Sequence, residues 1–355
     1  MTAIWNRYEP TLARPRSRPG RELRPQTTTI DAHAHVAVPQ AAAFVQPHLD
    51  PAMNPLAHFQ SAESKAVSGK QEADMRSRLT AVEERLSDLD RMGLDIQVVM
   101  PPPQQCYYAV PAEIGVRAAH LVNDGLAEWV AQRPDRFVAL GSVPLQDGRE
   151  AAVELERCVK QLGFKGVEIL TNVAGRELSD PATAPFWRRA EELGALVVIH
   201  PNGFTEAERL RRFYFNNVIG NPLETTIALH FLIFDGVLER HPNLKLLAVH
   251  GGGYLGGYFG RIDHAWGARS DCHAHLPHPP TSYLRKIFVD TVVFTAPQLR
   301  FLVETFGVDH IVMGTDYPFD MADYDPIDLV ASAELGESAL AAIAGGNIKA
   351  LLRLS

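Results

Sequence analysis

The chain has 355 residues, 46% hydrophobic and 21% charged, the balance of an ordinary globular protein with ample core. Its net charge of −8 argues against nucleic acid or an anionic membrane as a bulk partner; no apolar run approaches a membrane span, and the N-terminus carries no apolar signal core. Cys106, Cys158 and Cys272 lie far apart with no CxxC, which gives neither a disulfide framework nor a cysteine metal site and points to a reducing cytoplasm.

Residues 1–26 are rich in Arg and Pro (Arg14-Pro15-Arg16, Arg18-Pro19-Gly20) and read as an irregular arm, either a disordered tail or a segment packed on a neighbouring subunit through Ile4, Trp5 and Tyr8. Residues 27–355 read as one domain. A β-branched lead-in, Thr27 to Ile30, opens a strand that ends in His33-Ala34-His35. Residues 36–75 hold many Pro, Ala, Gln and Ser with no clear period. They read as a long insertion after the first strand, and loops of this length are usually functional or disordered.

From there helix and strand alternate. Leu79–Met92 has helical spacing (Leu79, Val82, Leu86, Leu89) and Gly93 closes it. Strands are expected at 95–100, 136–143, 166–170, 195–200, 245–250, 287–291 and 310–314. Helices are expected at 111–132, 148–162, 181–193, 222–239, 254–265 and 297–306, with one or two more over 327–352. Near-continuous apolar strands between amphipathic helices predict a parallel sheet buried on both faces. Eight such units predict an α/β fold of the (β/α)8 barrel type, with the active site at the C-terminal ends of the strands. An open doubly wound sheet is the alternative. Against it, no strand is followed by GxGxxG or a P-loop; Gly251-Gly252-Gly253 lacks the later glycine and reads as a tight turn.

Polar residues gather at the strand ends. His33 and His35 are two apart and so share a face. His200 ends the fifth strand, His250 the sixth, and Asp316 follows the eighth. Three histidines and a carboxylate with one position left open make a catalytic divalent-metal site. Taken singly, each is also consistent with a hydrogen-bonded histidine closing a strand or an Asp capping a helix. Zinc is the first expectation, because imidazole suits it, and manganese the second, because of the carboxylate.

The segments Ile30-Asp31-Ala32-His33-Ala34-His35, Arg133-Pro134-Asp135-Arg136-Phe137, Leu162-Gly163-Phe164-Lys165-Gly166-Val167, Ile199-His200-Pro201, Gly220-Asn221-Pro222-Leu223-Glu224-Thr225-Thr226, Val249-His250-Gly251-Gly252-Gly253 and Gly314-Thr315-Asp316-Tyr317-Pro318-Phe319 together resemble the amidohydrolase superfamily. They look closest to its branch of metal-dependent decarboxylases typified by aminocarboxymuconate-semialdehyde decarboxylase. The resemblance runs from about residue 28 to the C-terminus. It implies a distorted (β/α)8 barrel, one metal held by His33, His35, His200 and Asp316, and His250 as a catalytic acid/base rather than a ligand. It also implies a substrate-binding arginine before the first barrel helix, for which Arg76 and Arg78 are candidates. A second arginine reaches over from the partner in a homodimer, and Arg269 matches its spacing. Where the family places a tryptophan after the strand-5 His-Pro, this chain has Asn202-Gly203, so the pocket wall differs and Asn202 becomes a candidate substrate contact.

The expected activity is non-oxidative decarboxylation of an aromatic or muconate-semialdehyde-type carboxylic acid in aromatic catabolism. Two alternatives stand beside it. One is hydrolysis or hydration of a related lactone, amide or unsaturated dicarboxylate, using the same metal-bound water with Asp316 as base. The other is a metal-binding barrel without catalysis. Glu168, at the end of the fourth strand, reads as a solvated or salt-bridged carboxylate or as a ligand for a second metal. Glu224 opens a helix, where negative charge is favoured. Asp290 and Thr291 could line the pocket or only hydrogen-bond. His264, His273, His275 and His278 form a second cluster that reads as a Pro-rich loop.

Overall fold

The computed structural model describes residues 20–273 and 276–354; Ile4, Trp5, Tyr8 and His275 lie outside them. Eight parallel strand units alternate with helices: β1 (Ile30–His35), β2 (Ile96–Met100), β3 (in two pieces, Phe137–Ala139 and Gly141–Ser142), β4 (Gly166–Leu170), β5 (Leu196–His200), β6 (Lys245–Ala248), β7 (Ile287–Asp290) and β8 (Ile311–Val312). The ladders form a three-stranded sheet, β1-β2-first piece of β3, and a six-stranded sheet running from β8 back to the second piece of β3. Backbone hydrogen bonds join the two sheets. At one seam Leu140 N–H donates to Val99 O (2.9 Å) and Lys165 N–H to Ala139 O (3.1 Å); at the other Ala32 N–H donates to Met313 O and His35 N–H to Tyr317 O (both 2.8 Å). The result is the distorted TIM barrel that the sequence pattern predicts.

Two cores follow from strand alternation. Ile30, Ala32, Val98, Met100, Leu140, Leu196, Val198, Leu247, Val249 and Val312 point inward and pack with Ile348, Leu351 and Leu352. Those last three lie on the C-terminal helix Asn347–Leu352, which plugs the floor. The opposite strand faces meet the surrounding helices in the larger core. Filled below, the barrel leaves its upper rim for chemistry.

In β1 the alternation is broken. Ile30 and Asp31 pair with Ile96 and Gln97, but Ala34 and His35 pair with Val99 and Met100. β1 spends three residues where β2 spends two, a β-bulge. Ala32 packs in the inner core, Ala34 in the outer one, and His33 and His35 on either side of Ala34 both face the rim. Without the extra residue the inward set of Ile30 and Ala32 would continue to Ala34, and the two imidazoles would point into the helices.

Residues 36–80 are helical rather than irregular. Short turns occupy Pro39–Val45, Gln46–His48, Pro51–Met53 and Pro55–His58, and then α1 runs over Ala62–Thr80. Met75 is the buried residue of α1; with almost no apolar stripe, its sequence shows no period. The expected helix at 79–92 is two elements, because Ala81 is extended (φ −89°, ψ 124°) and ends α1 before α2 (Val82–Met92) begins. Gly93 closes α2 in the left-handed region, φ 78°, as expected. Arg24, at the end of the arm, is ion-paired with Asp95.

The plug gives a direct test of this packing. Ile348→Ala should lower unfolding stability by about 2–5 kcal/mol, read from urea midpoints. A loss below about 1 kcal/mol would show that the floor does not depend on it.

Candidate metal centre and its cavity

Four local devices aim the polar residues of the rim. The β1 bulge presents His33 and His35. β5 is a fully buried apolar strand ending in His200. After β6 and β8 the chain turns sharply: His250 and Asp316 both adopt positive φ, 54° and 61°. Non-glycine residues seldom occupy this region, and where they do the strain is often held at functional sites. Gly251 and Gly253 follow His250 at φ 64° and 65°, so the glycines do permit the turn. They do not clear space for substrate. A Cβ on Gly251 would sit 2.6 Å from Val293 Cγ1, and one on Gly253 2.3 Å from Pro222 O; the room is filled by protein.

The five side chains converge. Asp316 Oδ1 lies 3.1 Å from His35 Nε2, 3.4 Å from His33 Nε2 and 3.8 Å from His200 Nε2, while Oδ2 lies 3.4 Å from His250 Nε2. His33 Nε2 and His35 Nε2 are 3.1 Å apart. One atom each from His33, His200, His250 and Asp316 falls within a 4.8 Å cluster. Burial alone would raise the Asp316 carboxyl, but His33, His200, His250 and His35 outweigh it and hold it well below the usual carboxylate range. Burial pulls His200 down to about 3 and lowers His35 as well, which keeps both imidazoles neutral and their lone pairs available. For His33 burial is outweighed by Asp316 and Asp290, and its value rises.

The histidines differ in how they are held. His33 Nδ1 meets Asp290 Oδ2 at 2.8 Å, and His35 Nδ1 and His200 Nδ1 meet the carbonyls of Pro101 (3.0 Å) and Pro201 (2.7 Å). Each bond fixes the tautomer that leaves Nε2 as an acceptor, the usual support of a metal-ligating histidine. Among the described residues, buried His200 Nε2 has no hydrogen-bond partner, and neither has His250 Nδ1. Three anchored imidazoles and one carboxylate oxygen thus aim lone pairs at a common point, which suits a divalent cation; His250 has no such anchor and faces the other carboxylate oxygen.

Beside this cluster opens a cavity of about 1060 Å³, lined in part by His200, Asp316, Asn202, Phe319, Tyr214 and Arg76. Ser68, Gln71, Glu72, Met75, Arg76 and Leu79 of α1 form one of its walls, a helical face of mixed polarity. Phe319 packs on the His35 ring at 4.8 Å. Tyr214 O–H donates to Asp320 across the mouth at 3.4 Å. Neither Tyr214 nor Asp320 stands out in the sequence.

The other candidates separate. Arg76 lines the cavity, and no ion pair is made by it among the described residues. Arg78 instead binds Glu84 and Asp88, each at 2.8 Å. Asn202 lines the cavity, and its carbonyl accepts from Leu56 N–H. Arg269 is largely exposed, pairs with Asp271 and is not among the residues lining this cavity. Glu168 is fully buried rather than solvated, and neither oxygen has a hydrogen-bond partner among the described residues. Its Oε2 lies 3.9 Å from His35 Nδ1, behind that ring and away from the converging Nε2 atoms. Glu224 accepts from Thr205 and Asn172, a structural role. Asp290 supports His33, and Thr291 Oγ1 bonds the backbone of Gly314. His273 stacks on Trp266, apart from the centre.

A profile of the amidohydrolase family matches residues 30–354. The chain is 34% identical over 328 residues to 2-amino-3-carboxymuconate-6-semialdehyde decarboxylase of Dictyostelium discoideum, covering 92% of this chain and 91% of that protein. Among solved structures it resembles 5-carboxyvanillate decarboxylase of Sphingomonas paucimobilis (TM-score 0.82, 26% identity, 93% of this chain and 100% of that one). It shares its fold with a dihydroxybenzoic acid decarboxylase of Polaromonas that carries manganese and the inhibitor 2-nitroresorcinol (TM-score 0.77, 24% identity, 93% and 98%).

Because Asp290 holds both His33 Nδ1 and the Gly251 N–H (2.9 Å), Asp290→Ala should weaken binding of a divalent cation about 10- to 100-fold. Equilibrium dialysis measures this, and an affinity within twofold of wild type would contradict the anchoring role.

Proposed function

The chain belongs to the amidohydrolase family, and from that membership we propose that it is a metal-dependent, non-oxidative decarboxylase of an aromatic or muconate-semialdehyde-type carboxylic acid. The observation that carries the reading is the split at Asp316: three anchored imidazoles face Oδ1 while an unanchored fourth, His250, faces Oδ2. We assign His33, His35, His200 and Asp316 as the ligands of one divalent ion. Zinc is our first choice from the donor set, and manganese, present in three structural neighbours, the second. When bound, such an ion supplies Lewis-acid polarisation of a carboxylate or carbonyl and acidifies its water.

The protein's own groups do the rest. Decarboxylation needs an electron sink, which a ring or an enal provides once the carbon bearing the carboxylate becomes tetrahedral. His250 Nε2, beside Asp316 Oδ2, transfers the proton that brings this about, and its unfixed Nδ1 leaves the ring free to take up and release that proton. Arg76, on the cavity face of α1 and in no ion pair among the described residues, binds a substrate carboxylate. Asn202 bonds a polar substituent. Phe319, packed on His35, supplies an apolar face that excludes water from the breaking bond.

We also assign a homodimer in which the exposed Arg269 of one chain reaches the pocket of the other, and a cytoplasmic location, in keeping with three free cysteines. No helix among the described residues is long and apolar enough to cross a membrane.

CO2 release from a panel of hydroxybenzoates and muconate-type acids, with zinc- and manganese-loaded protein, tests the reaction. Turnover of at least one member is expected; release of water-addition or hydrolysis products without CO2 would overturn it. His250→Asn should keep its metal and lose about 10²- to 10⁴-fold in kcat. If metal and activity vanish together, His250 is a ligand.

A further inference from the structure

Outside the barrel wall, between β1, β2 and α2, lies a buried polar chain that touches no part of the cavity. The β1 bulge removes the His33 N–H from the ladder, and Asp31 Oδ1 takes it at 3.0 Å. The same oxygen accepts the Thr315 N–H at 3.0 Å, and Oδ2 accepts Thr315 Oγ1–H at 2.6 Å. One carboxylate therefore joins the backbone that carries His33 to the segment that carries Asp316. Asp31 Oδ2 also accepts Gln97 Nε2 at 2.8 Å, and Gln97 Oε1 accepts Arg85 Nη1 at 2.8 Å. Arg85 Nη2 turns back to the carbonyls of His35 (2.5 Å) and Arg78 (2.7 Å). The guanidinium lies 4.7 Å from the Tyr317 ring centroid and 5.2 Å from that of Trp129. Asp31, Gln97 and Arg85 are all 0% exposed.

We propose that Arg85, acting through Gln97 and Asp31, is a positioning residue that sets the metal affinity of the site by holding the bulge, and with it His33, His35 and Asp316, in the ligating arrangement. The inference rests on the metal reading above. A planar fork is needed because three acceptors (Gln97 Oε1, His35 O and Arg78 O) must be met at once around a fully buried side chain; an ammonium is a point donor and cannot span them. The relay fixes His33 at its N–H and His35 at its C=O. These two backbone groups bracket the only residue between the imidazoles, so loss of either contact lets the bulge migrate along β1 and re-aims both rings.

The test is zinc affinity of the full chain, stripped by dialysis and titrated against a chromophoric chelator, with the melting midpoint of the metal-free form measured beside it. Gln97→Leu cuts the relay at its middle, and Arg85→Lys keeps the charge but loses the fork, so one variant remains if the other does not fold. Each should weaken zinc binding about 10- to 100-fold, the usual effect of removing support behind a ligand. A role in fold stability alone predicts a lower metal-free midpoint with zinc affinity within twofold of wild type, and that result overturns the relay while leaving the decarboxylase reading intact. Failure of the wild-type protein to bind either zinc or manganese overturns both the relay and the ligand assignment.

Discussion

One surplus residue in β1 governs this molecule. The inner core requires Ile30 and Ala32 to point inward, whereas a metal site requires His33 and His35 to do so. Simple alternation cannot satisfy both, since inward residues recur at every second position. The bulge resolves the conflict by shifting parity between Ala32 and His33. It leaves an N–H unpaired inside the protein, which is costly unless a partner is supplied. Asp31 supplies it, and being buried and close to Thr315 it binds the barrel's first strand to the segment after its last. The closing seam of the fold and the ligand geometry thus depend on the same carboxylate.

The rim shows one residue type held in two ways. His33, His35 and His200 each have a hydrogen-bond acceptor behind Nδ1, so their rings are locked and only Nε2 is available. His250 lacks one. A group that must exchange protons benefits from that freedom, while a ligand would lose affinity by it. Asp316, forced to φ 61°, faces both classes at once with its two oxygens. Its charge is held by the imidazoles around it despite its burial.

The fold and the five rim residues are legible in the sequence because each is announced locally: an apolar run, then a histidine or an Asp with a turn signal. Other features are not local. In Ile30-Asp31-Ala32-His33-Ala34-His35 nothing marks the bulge, since the register belongs to the pairing with β2 and not to β1 itself. Helix α1 escapes a search for apolar periodicity because the face it turns toward the cavity is of mixed polarity, with Glu72 and Arg76 beside Met75 and Leu79. The glycines after His250 read as a tight turn, but which atoms pack against them, Val293 and the Pro222 carbonyl, is decided by distant segments. Burial of Glu168, and of Arg85 in the middle of an otherwise amphipathic helix, likewise depends on what packs around them.

The central claim is that His33, His35, His200 and Asp316 form the ligand set, and that His250, in the same cluster, is not a ligand. X-ray absorption at the zinc edge of the metal-loaded protein counts imidazoles around the ion directly. The account predicts three imidazoles and carboxylate or water oxygens completing the shell, unchanged in His250→Asn. A fourth imidazole in the wild type that disappears in that variant would contradict it.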